Sequence, residues 1–246
     1  MLREYLRFYR ITIRIAIFFW GGAKGSVDQR LKTIGHHLPK YNGQWYIASM
    51  KYDSSPILEL ARSQIVRPRD LREMKYPRQI LSDLVQSGEL VKTARGLYVA
   101  ADFDLSEHHS LAEVAKRWPQ AVVCLLSALQ FHELSLELPS EVWIAVPRGL
   151  SPRSRDLRPR VVQVSEEAFP EGIETHIIEG VPVKIYSAAR TVADCFKFRS
   201  QVGNSVAYEA LKNAWTTRKA TADEIVANAK LCRVYNIMIP YLETLS

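Results

Sequence analysis

The 246-residue sequence is poor in features that would settle a class at once. Its three cysteines, Cys124, Cys195 and Cys232, lie far apart with no C-x-x-C pair. That excludes a disulfide framework and paired-cysteine zinc spacing, and it points to a reducing, cytoplasmic home. No apolar run approaches the roughly twenty residues a membrane span needs. The run at residues 11–20 is half that length and is interrupted by Arg14. Glycine is scattered, so there is no glycine-rich phosphate loop, and no Gly-Ser followed by paired aspartates as nucleotidyltransferases carry. His108, His109, His132 and Cys124 lack the spacing of a metal-ligand set. No cofactor is expected. Asp156 and Asp194 are isolated acids, and Asp194 lies one turn after Arg190, the spacing of a helical ion pair. No serine or cysteine has a base and an orienting group nearby in sequence, so the expectation is a non-enzyme.

What is present is charge, unevenly spread, on a chain apolar enough (47% hydrophobic) to fill a sizeable core. Of the formal net charge of +7, residues 1–49 hold eight Lys/Arg against two Asp/Glu. Residues 50–101 hold nine against six, and residues 102–246 sixteen against eighteen. A modestly basic module on a slightly acidic body suits a regulator better than a protein that coats nucleic acid. Three readings fit residues 1–49: a signal segment, a poorly ordered basic arm, or an over-extended reading frame whose true start is Met50. The last is favoured, because Asp53, Ser54, Ser55 and Pro56 immediately follow as a helix start.

The chain is organised around residues 66–99. Pro68 and Pro77 each open a helical pattern, a position where the missing N–H is not needed. The first, 68–74, turns Leu71 and Met74 inward. The second, 77–87, puts Ile80, Leu81, Leu84 and Val85 on one face and stops at Gly88. A preceding helix over 56–63 would pack Ile57, Leu60 and Ala61 behind them. A hairpin follows, with strands 89–92 and 97–99 about a turn at 93–96. This order of parts predicts a winged helix-turn-helix over residues 50–101. Arg78, Gln79 and Ser82 then face outward to read base edges, while Arg67, Arg69, Lys92 and Arg95 hold phosphates.

Residues 102–109 are polar and read as a hinge to a second domain, 102–246. That domain predicts a short helix over 110–117 and a buried helix over 121–134. Strands follow over 141–146, 160–164, 172–178 and 181–186, with Glu179 and Gly180 at a hairpin turn. Helices return over 188–198, 205–216, 221–231 and 235–245, the third opening with a Thr221/Glu224 capping box. The fold class is therefore α+β: an N-terminal winged helix-turn-helix followed by a mixed α+β domain. The stretch 147–160 carries Arg148, Arg153, Arg155, Arg158 and Arg160 against one acid. It is either a solvated loop or a second basic patch that touches phosphates or an acidic partner.

The succession VRPRDL, PRQILSDLVQSGEL, EHHSLAEVAKRWP, VVCLLSAL, EVWIAVPRG and KIYSAARTVADC resembles the AbiEi antitoxins across residues 50–246. These are the antitoxin halves of type IV abortive-infection toxin–antitoxin pairs of bacteria. The chain departs from the pattern at Ser187-Ala188, where Ser-Pro is expected. The resemblance implies a winged helix that binds inverted repeats in its own promoter and represses it. It also implies a C-terminal domain that counteracts a nucleotidyltransferase-like toxin without a stable complex. Two other classes stay open on the residues alone. One is a winged-helix protein-interaction module; the other is a nuclease or transferase using Asp156 or Asp194.

Overall fold

The structure, a computed structural model, describes residues 52–245; the readings made for residues 1–49 lie outside them. From Asp53 onward the chain forms one compact unit. Helices α1 (Ser55–Ser63), α2 (Pro68–Glu73) and α3 (Gln79–Gln86) lead into the hairpin β1 (Leu90–Ala94) and β2 (Leu97–Ala100). Arg67 is extended, as a residue before proline must be, and the Asp70 carboxylate accepts its amide at 2.9 Å to start α2. Helix α3 ends in a Schellman arrangement: Gly88, at φ +78, donates to the Val85 carbonyl, and Glu89 donates to Leu84. The hairpin turn is tighter than the sequence suggested. Strand β1 runs on to Ala94, leaving Arg95 and Gly96 to turn the chain. Val66 adds an antiparallel bridge to Tyr98, so the segment between α1 and α2 lies beside the wing. Ile57, Ala61, Leu71, Ile80, Leu81, Leu84 and Leu90 close the module's own core, on the faces the periodicity assigned.

The remainder is α+β. Helix α4 (His109–Arg117) precedes a five-stranded mixed sheet made of β3 (Val122–Val123), β4 (Trp143–Pro147), β5 (Arg160–Val164), β6 (Ile173–Ile178) and β7 (Val181–Tyr186). Their order is β5-β4-β3-β7-β6, with β4/β5 and β3/β7 parallel and the other neighbours antiparallel. Helix α5 (Leu125–Phe131) lies between β3 and β4. After the sheet come α6 (Ala188–Lys197), α7 (Arg199–Val202), α8 (Asn204–Thr216), α9 (Ala222–Leu231) and α10 (Tyr235–Glu243). They cover one face of the sheet, where Val122, Trp143, Ala145, Val162 and Tyr186 meet Leu129, Val192, Phe196 and Leu211.

Residues 121–134 are not one helix. Val122 and Val123 are the central strand, and the helix begins only at Leu125, with φ +45 at the corner. An unbroken apolar run looks the same whether it fills a buried helix or a strand covered on both faces. Here the two β-branched valines occupy the middle of the sheet. The Ser187-Ala188 departure is harmless, because Ser187 caps α6 by accepting the Arg190 amide at 3.3 Å and Ala188 simply takes the first helical position.

The other face of the sheet is closed by α4 together with the wing. Leu111, Ala112 and Ala115 share one core with Ile65, Ala94, Leu97 and Val99 of the winged helix and with Val123, Val181, Val183 and Ile185 of the sheet. The polar segment read as a hinge is pinned to that assembly. Glu179 accepts the amide and hydroxyl of Ser106 at 2.8 and 2.9 Å, and His109 Nδ1 lies 2.6 Å from its other oxygen.

The β6–β7 turn also presses on the end of α1. A Cβ on Gly180, at φ +68, would fall 2.6 Å from the Ser63 carbonyl oxygen and 2.7 Å from Gln64 Cβ. Gly88 has a similar φ of +78 with nothing within 4 Å of that position. Gly88→Ala should therefore cost only the left-handed backbone penalty, about 1–2 kcal/mol. Gly180→Ala should add a clash and reach about 2–4 kcal/mol. Urea denaturation of the two variants checks this, and equal losses would contradict the docked arrangement.

Candidate nucleic-acid interface

Helix α3 presents the side chains on which DNA reading would depend. Its apolar face is sealed against α1 and α2, with Ile80, Leu81 and Leu84 buried, so Arg78, Gln79 and Ser82 are left exposed on the opposite side. Arg78 sits at the N-cap and is exposed. Gln79 donates to the Asp83 carboxylate at 3.3 Å, a bond within α3 that leaves its carbonyl oxygen free to accept. Arg69 is exposed on α2, three residues before the exposed Arg72, which the sequence reading did not single out although the spacing was visible there. Lys92, opposite Tyr98 in the wing, and Arg95 at its turn are exposed as well.

Arg67 is withdrawn from the phosphate-contact set. Its guanidinium donates to the Lys116 carbonyl at 2.5 Å and approaches Asp70 at 3.4 Å, while Lys116 itself pairs with Asp70 at 3.1 Å. The side chain fastens α2 to α4. Nothing local in VRPRDL distinguishes such a use, because the partner carbonyl lies 49 residues away.

A second group missed by sequence reasoning fixes the wing from behind. The Arg95 amide donates to the Asp156 carboxylate, and the Arg117 guanidinium donates to the Arg95 carbonyl and lies 3.6 Å from Asp156. Asp156 also accepts the Ser154 hydroxyl, and these bonds hold its carboxyl below the usual carboxylate range. Beneath, His109 stands between Glu179 and Glu113, 2.6 and 3.4 Å away. The hydrogen bond to Glu113 and the charge of both acids raise its pKa to about 9, against the opposing effect of burial. Because the folded value exceeds the ordinary 6.5, His109 lends its full stabilisation below about pH 6.5 and loses it as pH rises through about 9. Stability of the wild type should accordingly decline between about pH 7 and 9.5. His109→Gln should flatten that slope and cost about 2–4 kcal/mol at neutral pH. Denaturant titrations across pH 6–10 would show this, and parallel curves for the two proteins would remove His109 from the account.

Arg190, fully buried on α6, donates to Asp194 at 3.0 Å and to the carbonyls of Ala168 and Glu171 at 2.8 and 3.3 Å, and its guanidinium stacks on Tyr186. Cys232 Sγ lies 3.2 Å from the second oxygen of Asp194. All three cysteines are buried, and burial pushes their thiols upward, Cys232 to about 12. Among the described residues there is no His/Cys/Asp/Glu group arranged for a metal, and no helix long and apolar enough to cross a membrane.

A helix triplet closed by a bridged wing, with the outer side of its third helix uncovered, makes this a winged-helix protein carried on an α+β body. Residues 55–101, the winged module, match the family model described as transcriptional regulator, AbiEi antitoxin. Among solved structures, the crystal structure of the RV2827C protein from Mycobacterium tuberculosis is similar in fold. It is 11% identical over 76% of each chain, with a TM-score of 0.53. No curated protein matches the chain.

Proposed function

We propose that this protein is the antitoxin of a type IV toxin–antitoxin system and represses its own promoter by binding inverted repeats there. In this reading it counteracts a nucleotidyltransferase-like toxin in the cytoplasm without forming a stable complex, and it is not an enzyme. The observation that carries the DNA-binding part is the division of α3, with Ile80, Leu81 and Leu84 in the core and Arg78, Gln79 and Ser82 exposed. That is the disposition a helix needs to enter a major groove. The non-enzymatic part is supported by Asp156 and Asp194, whose carboxylates are occupied in fastening the wing and in pairing with Arg190. Two half-sites spaced by about one helical turn, or a multiple of it, would take two copies of the chain.

The test is a titration of the upstream promoter region against a scrambled duplex of equal length. Preference for the promoter by about a thousandfold or more is the expected result, and equal affinities would sink the proposal. Co-expression with the adjacent toxin gene tests the second half: growth should be restored with no co-purifying complex.

One observation favours a second reading, a protein-docking module. The inner face of the wing is already a protein interface, buried against α4 and the sheet. Co-purification of a partner at fixed stoichiometry, insensitive to salt, would support that reading over DNA binding.

A further inference from the structure

Strands β4 and β5 are adjacent and parallel, so the chain must travel back the full strand length between them. Residues 148–159 make that return without a helix, since Pro152, Pro159 and Gly149 interrupt any helical run. Two contacts decide which face the segment crosses. Leu157 packs into the core shared by the wing, α4 and the sheet. Asp156, the segment's single acid, takes the Arg95 amide at the wing turn and lies beside Arg117. With Leu157 turned inward and Asp156 committed to the wing, the arginines around them remain outside. Arg148, Arg153, Arg155, Arg158 and Arg160 are all exposed. Among the described residues none of the five has an ion-pair partner, and only Arg160 is engaged, stacked 4.2 Å over Trp143.

We infer that this arginine crossover is a second DNA-backbone contact outside the winged module. Arg153, Arg155 and Arg158 grip phosphates flanking the segment that the wing touches, and Asp156 is the positioning residue that sets their place beside Arg95. This rests on the DNA-binding reading above and deepens it. The protein covers more duplex than a winged helix alone, through contacts that are strong in phosphate affinity and blind to sequence. The body, acidic overall, would meet DNA only along this ridge.

The test compares full-length variants by binding to the promoter duplex and to random duplex over a range of salt. The triple replacement Arg153→Gln, Arg155→Gln, Arg158→Gln should weaken both duplexes alike, roughly tenfold or more, and reduce the slope of log K against log salt by about 2–3. The corresponding lysine triple should keep most of that slope. Melting curves of both should match the wild type, because the altered side chains are exposed and Asp156 and Leu157 are retained. Asp156→Ala adds net positive charge and would strengthen binding if charge alone mattered. Because it frees the ridge from the wing, it should instead weaken promoter binding about threefold or more.

A glutamine triple with unchanged slope and affinity, beside an Arg78→Ala variant that has lost promoter preference, overturns the inference and leaves the DNA-binding reading intact. Unchanged DNA binding with lost protection against the toxin overturns it too, in favour of a protein partner for the ridge. A wild type indifferent to its promoter defeats the earlier reading instead, and the slope on random duplex then judges the ridge alone.

Discussion

Arg190→Ala is expected to destabilise the protein by about 3–5 kcal/mol, the usual range when one member of a buried ion pair is removed. The residue is fully buried, and Asp194 beside it is 3% exposed. Without the guanidinium, Asp194 keeps only the weak Cys232 thiol at 3.2 Å, and the carbonyls of Ala168 and Glu171 lose their donor. The stem of the side chain is also close-packed: a Cβ on Gly172 would lie 2.9 Å from Arg190 Cβ. For a unit of this size the loss corresponds to a fall in melting temperature of roughly 10 °C. Urea denaturation measures it. The double replacement Arg190→Met with Asp194→Leu should recover part of the loss, since replacing both charges leaves neither unpaired. If the double variant is as unstable as the sum of the two single ones, the pair is not coupled as the distances imply.

Arg78→Ala should have the largest effect on function. A well-placed arginine on a base edge contributes about 1–3 kcal/mol of discrimination, so promoter affinity should fall about 5- to 150-fold while affinity for random duplex changes little. Lys92→Ala should weaken every sequence alike and lower the salt slope by about 1. Neither replacement should alter stability, because both side chains are exposed. The contrast is the check. Similar losses on both duplexes for Arg78→Ala would reassign it to the phosphate backbone.

The winged module was readable because each of its signals is local. Pro68 and Gly88 mark where α2 begins and α3 ends, and the spacing of Ile80, Leu81 and Leu84 fixes the buried face. The hairpins and the Thr221/Glu224 capping box were equally plain, the latter seen as a 2.8 Å bond from the Thr221 amide. The readings that failed involve sequence-distant partners or degenerate patterns. Val122 and Val123 belonged to an apolar run whose periodicity does not separate strand from helix. Arg67 has the same appearance as Arg69 in the sequence, yet its carbonyl partner is on α4. Residues 102–109 read as a hinge to a second domain because they are polar, and the contact that ties them down was not legible there, since Glu179 lies 73 residues beyond Ser106.

The sequence by itself determined most of the elements, the inward faces of the first three helices and the concentration of arginine between residues 147 and 160, because each depends on neighbours within a few positions. Only the tertiary structure decided what those arginines stand beside. The parallel pairing of β4 with β5 forces a return across the sheet, and Asp156 and Leu157 place that return against the wing. Position along the chain carries charge and periodicity; which surface two distant charges share follows from strand order and the burial of a few apolar side chains.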